Sequence, residues 1–153
     1  MAELTVSVDV AATPERVWDA AVDWDRQHEW MALTRVRGGQ GPGARLEAFT
    51  GVGRLGFVDP MTVTTWDPPR RCVVRHDGRV VRGTAAFEVV PLPGGQARFV
   101  WTEWLVLPLG LVGELGFALL KPLIRWPLVW SMRRFATFVS SRGTSGAPSP
   151  GTT

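Results

Sequence analysis

The chain has no tyrosine, one cysteine and two histidines among its 153 residues. Each shortage excludes something. Without tyrosine, no mechanism can use a phenol as acid, base or nucleophile. With Cys72 alone, no disulfide can close within the chain, and the cytoplasm is the expected compartment. Two histidines, His28 and His76, are too few for most metal sites, and no Cys/His ligand spacing occurs, so no metal and no cofactor is expected. Lysine is also scarce. The net charge of +3 comes from scattered arginines, with no run of four basic residues, so no nucleic-acid partner is expected. The start, MAELTVSVDV, lacks the basic stretch and long apolar run of a signal peptide. No phosphate-cradling glycine motif is found, and the glycines of GVGRLGF (51–57) sit between strand patterns and read as a hairpin turn.

At 45% hydrophobic and 20% charged residues, the composition fits one globular domain with a real core. Residues 1–142 are read as that domain. Residues 143–153, GTSGAPSPGTT, hold no core-forming side chain and are expected to be a disordered tail.

Leu4, Val6, Val8 and Val10 alternate with polar residues and predict a first strand. Thr13 followed by Pro14 predicts a capped helix over Arg16 to Ala21, with a second short helix from Asp23 to about Glu29. Six further strands follow, at 31–37, 45–50, 57–66, 71–76, 79–90 and 97–107. Short Gly- or Pro-rich turns separate them, which favours an antiparallel meander. A long apolar helix is expected from Leu109 to about Ser140.

The stretch VSVDVAATPERVWDAAVDWDRQHEW (6–30), with the WDPPR, HDG and PLPGG turns, resembles the polyketide cyclase/dehydrase-like branch of the START-like (Bet v 1-like, SRPBCC) superfamily over roughly residues 3–140. The resemblance implies an α+β helix-grip fold. In it, a curved seven-stranded antiparallel sheet wraps a long C-terminal helix, two short helices lie between strands 1 and 2, and a deep cavity opens between sheet and helix. It also implies that Val17 and Trp18 pin the first helix, that Asp23 and Asp25 cap and turn the second, and that Trp30 closes the cavity mouth or plugs the core beside it. His28 is placed near the pocket rim, where Asp25 or Glu29 could oppose it.

Asp77-Gly78 has the composition of a two-residue hairpin turn, which would pair His76 with Arg79 and Cys72 with Gly83. One face of that hairpin then carries Cys72, Val74, His76, Val81, Ala85, Phe87 and Val89. If Phe87 shares its face with Trp101, then Phe99, Glu103 and Leu105 also point inward, and the WDPPRR turn adds Asp59, Met61 and Val63. The inward face is thus apolar, with His76, Glu103 and Asp59 set into it. Two readings stay open. In one, Glu103 simply meets Lys121 or Arg125, or is solvated at the mouth. In the other, His76 with Glu103 or Asp59 forms an acid/base pair suited to cyclisation or dehydration of a polyketide. Cys72, on an apolar surface, is a poor nucleophile.

The expected pocket is lined by Trp30, Met61, Val74, Phe87, Trp101 and Leu105, with Leu119, Leu123 and Trp126 from the helix. An apolar small molecule (a lipid, an isoprenoid or a polyketide) is the expected partner. The segment 104–132 has apolar residues almost all round, with Glu114, Lys121 and Arg125 in one stripe and Pro122 and Pro127 inside. Those charges argue against a membrane span. The surplus apolar surface leaves a homodimer through this helix, or a peripheral membrane contact, as further expectations.

Overall fold

The alternation that marks the first segment is realised directly: Leu4, Val6 and Val10 are buried and Glu3, Thr5 and Ser7 are exposed along β1 (Ala2–Val10). The computed structural model describes residues 2–143, so the expected tail beyond Gly143 lies outside the described residues. After β1 comes α1 (Pro14–Ala21), where the Thr13 hydroxyl accepts from the Arg16 backbone N–H and proline occupies the first turn. A 3-10 helix follows at Trp24–Glu29. The strands β2 (Thr34–Gly38), β3 (Arg45–Val52), β4 (Leu55–Asp67), β5 (Arg71–His76), β6 (Gly83–Leu92) and β7 (Gln96–Leu105) lead into α2 (Gly110–Arg142).

All seven strands form one antiparallel sheet in the order β1-β7-β6-β5-β4-β3-β2. This is the expected α+β helix-grip architecture: a curved meander closed by pairing its first and last strands, with a long helix across it. A β-bulge between Val63 and Thr65 shifts the register of β4 against β5. Beyond it Trp66 lies opposite the inward Cys72, and its ring meets Trp18 edge-on at 5.1 Å. The bulge thereby docks α1 on the sheet.

Trp30 is the hub of the core. It is fully buried and packs against Phe135 of α2 at 4.8 Å between ring centroids, and against Phe87, Phe99 and Trp101 of the sheet at 6.0–6.4 Å. The second half of α2 adds Met132, Phe138 and Val139 to this cluster. The first half is not held in this way, and Leu111, Leu115, Leu119, Leu123 and Trp126 are exposed.

Three local expectations are corrected. Asp77-Gly78 is not a two-residue turn: His76 pairs with Gly83 and Cys72 with Phe87, leaving 77–82 as a longer loop. The cause is Asp77 itself. Its N–H donates to the Pro60 carbonyl, and its carboxylate accepts from Thr62 (2.5 Å) and Arg75 (2.7 Å), so the chain stays beside β4 past His76. Asp23 makes no side-chain cap; it pairs with Arg142 at 2.6 Å and ties the end of α2 to the 3-10 helix. The strand expected from Met31 begins only at Thr34.

Candidate functional site

The inward face of the sheet and α2 enclose a cavity of about 380 Å³. Strand parity puts Met61, Val74, Phe87, Trp101 and Leu105 on its wall, as the sequence pattern predicts. The hairpin slip leaves this face intact, because the observed pairing differs from the predicted one by an even number of residues. Leu4, Leu46, Ala48 and Phe57 complete much of the apolar wall.

The helix side differs from expectation. Leu119, Leu123 and Trp126 do not line the cavity; Ile124, Pro127, Leu128 and Ser131 do. Docking through Phe135 and Met132 fixes the rotation of α2 and turns the three expected residues outward, 70–76% exposed. Trp30 is not on the wall either, since it is buried in the core among the aromatic rings. His28 is exposed and off the cavity, and its neighbour Gln27 lines it instead. Gln27 carried no signal in a short polar helix. Ser131 carried a faint one, its spacing four residues after Pro127, whose carbonyl its hydroxyl reaches at 2.8 Å while accepting from Ala32 N–H at 2.9 Å.

Asp59, His76 and Glu103, from three different strands, meet at one end of the cavity. His76 Nδ1 lies 2.6 Å from Asp59 Oδ2, and His76 Nε2 lies 3.2 Å from Glu103 Oε2. The indole of Trp101 donates to the other Glu103 oxygen at 2.8 Å. Glu103 therefore meets neither Lys121 nor Arg125, which are exposed. Small residues make the meeting possible. Between β5 and β7, the inward positions of β6 are Gly83, opposite His76 and Leu105, and Ala85, opposite Val74 and Glu103. Nothing larger than a methyl group separates the imidazole from the carboxyl.

Burial is the largest single influence on His76 and acts to lower its pKa. The hydrogen bonds from Asp59 and Glu103, with the charges of both, together outweigh it and raise the pKa to about 9. At neutral pH the ring is an imidazolium that donates from both nitrogens. Asp59 Oδ1 is buried without a hydrogen-bond partner among the described residues. The Cys72 thiol on the cavity wall is pushed up to about 12 by burial and is no nucleophile at neutral pH. Among the described residues, no group of three or more His, Cys, Asp or Glu side chains is arranged to hold a metal ion.

A curved sheet gripping a helix over an apolar cavity defines the START-like, Bet v 1-like (SRPBCC) class. The family model for "Polyketide cyclase / dehydrase and lipid transport" matches residues 1–137, and the chain belongs to that family. Similar solved structures include the Zhui aromatase/cyclase of Streptomyces sp. R1128, with a TM-score of 0.77 and 15% identity over 96% of this chain and 99% of that one. The protein TTHA0849 of Thermus thermophilus gives 0.75 and 17% over 92% and 99%. A norcoclaurine synthase of Thalictrum in complex with a transition-state analogue gives 0.66 and 14% over 93% and 96%. At these identities the likeness is one of fold. No curated protein sequence matches the chain. Among the described residues, no helix is long and apolar enough to cross a membrane.

Proposed function

We propose that this protein binds an apolar small molecule, lipid-, isoprenoid- or polyketide-like, in the cavity between the sheet and α2. The observation that carries this reading is the cavity itself: about 380 Å³ with an almost wholly apolar wall, a volume within the range of small-molecule sites. The family to which the chain belongs, which spans cyclases, dehydrases and lipid transport, supports the same reading. The buried polar cluster at one end would orient a ligand that carries a carbonyl or hydroxyl group. Native mass spectrometry of the purified protein, followed by identification of whatever denaturation releases, tests it. A near-stoichiometric apolar molecule, absent from a Val74→Trp variant whose indole fills the cavity, is the expected result. Equal retention by the filled variant would overturn it.

A second reading, a cyclase or dehydratase, rests on one specific observation: His76 stands between two carboxyl groups at the edge of an apolar cavity. In that reading the Glu103 carboxylate takes a proton from the carbon beside a substrate ketone. As Glu103 takes up that proton it releases the His76 Nε2–H, which donates to the developing enolate oxygen while Asp59 holds the ring through Nδ1. Loss of turnover in both His76→Gln and Glu103→Gln, with ligand binding retained, is the expected signature. Unchanged turnover of a polyketide substrate in both variants would remove this reading.

A further inference from the structure

The first half of α2 is built inside out for a surface helix. Successive positions are ~100° apart around the axis, which places Leu111, Leu115, Leu119, Leu123 and Trp126 on one arc. These five are 66–83% exposed. The cavity-facing residues Ile124 and Leu128 lie roughly opposite. Exposed Lys121 and Arg125 stand along the polar edge, with exposed Glu114 in the same stripe. A helix that covers a sheet normally shows charge to water, and this one shows leucine and tryptophan.

The arc continues beyond the helix. The connection from β7 exposes Val106 and Leu109. The same end of the sheet, fixed by the pairing of Leu105 with Gly83 and of Gly83 with His76, carries exposed Leu55 at the β3–β4 tip and Val80 in the 77–82 loop. Exposed Arg54, Arg79 and Arg82 stand beside them. Apolar tips with basic neighbours thus surround the end of the sheet where His76, Asp59 and Glu103 lie.

We propose that the outer arc of α2 docks on an anionic lipid bilayer, lying in the interface with Trp126 at headgroup level and Lys121 and Arg125 against the lipid phosphates. The charge pattern selects this occupant. Leucine and tryptophan on one side, an edge with two bases to one acid, and Arg54, Arg79 and Arg82 at the neighbouring tips are the make-up of an interfacial surface, and each basic group near an anionic bilayer adds to the attraction. Docking here sets the first half of α2, one wall of the cavity, at the membrane surface. The inference does not depend on what the cavity holds.

Flotation with vesicles tests it, using phosphatidylcholine alone and phosphatidylcholine with about a quarter phosphatidylglycerol. The full chain floats with the anionic vesicles, and partitioning drops ~10-fold on zwitterionic vesicles or in high salt. Replacing Leu119, Leu123 and Trp126 with serine abolishes flotation. Because these side chains are exposed, unchanged circular dichroism and thermal unfolding show that the variant is folded. As a second probe, Lys121→Glu with Arg125→Glu weakens flotation while leaving the apolar arc intact. Three results would overturn the proposal: no flotation of the native chain, equal flotation of the serine variant, or a concentration-dependent dimer, lost in the serine variant, in place of vesicle binding.

Discussion

His76 and Asp59 are joined Nδ1 to Oδ2 across 2.6 Å although the strand ladder does not pair them. His76 sits opposite Met61, and Asp59 is the next inward residue of β4 beyond it. The contact is a diagonal one, within reach because the β5–β6 loop carries the chain past the end of β5 beside β4.

That relationship makes stability depend on pH in a definite direction. The His76 pKa is raised from 6.5 to about 9 in the folded protein. Its contribution is fully present below pH ~6.5 and lost as pH rises through about 9, with a size on the order of a few kcal/mol. Thermal unfolding from pH 6 to pH 10 should show the midpoint falling across this window, and the fall should shrink in His76→Gln. A native midpoint that stays level across the window would show that the imidazolium does not stabilise the fold.

Gly83 permits both the backbone path and the polar cluster. Its φ is +132°, and a Cβ there would collide with the Trp104 carbonyl. Gly83→Ala should cost ~1–3 kcal/mol and loosen the 77–82 loop. Chemical denaturation measures the first effect and amide exchange at Val106, whose N–H bonds the Arg82 carbonyl at 2.8 Å, the second.

Cys72 should resist alkylation. With the thiol buried and its pKa at about 12, iodoacetamide at pH 8 should modify the native chain far more slowly than the urea-unfolded chain. Comparable rates would mean that the cavity wall opens on the reaction timescale.

Two substitutions at the ends of the core should differ sharply. Trp30→Ala removes the hub of four aromatic contacts and should destabilise by ~3–5 kcal/mol. Arg142→Ala breaks an ion pair whose side chains are about one-third exposed and should cost no more than ~1 kcal/mol. Paired denaturation curves check both.

Much of the sheet was legible in the sequence because strand side chains alternate. Parity alone places Met61, Val74, Phe87, Trp101, Glu103 and Leu105 on one face, even with the hairpin at Asp77-Gly78 read four residues too tight. The cap at Thr13-Pro14 was equally plain, since its signal is local. The sequence left the partners of Glu103 open between His76 and a cation of the long helix. They depend on Gly83 and Ala85 lying between two strands far apart in sequence, which only the assembled sheet reveals.

By itself, then, the sequence determined the order of elements, the inward set of side chains and the polar trio among them, because these follow from period-two alternation and short turns. Tertiary structure alone decided how α2 is rotated. A helix apolar almost all round carries no phase of its own. The packing of Phe135 against Trp30 and Phe99 selects which side meets the cavity. That choice puts Ile124 and Leu128 over the ligand space and leaves Leu119, Leu123 and Trp126 facing outward.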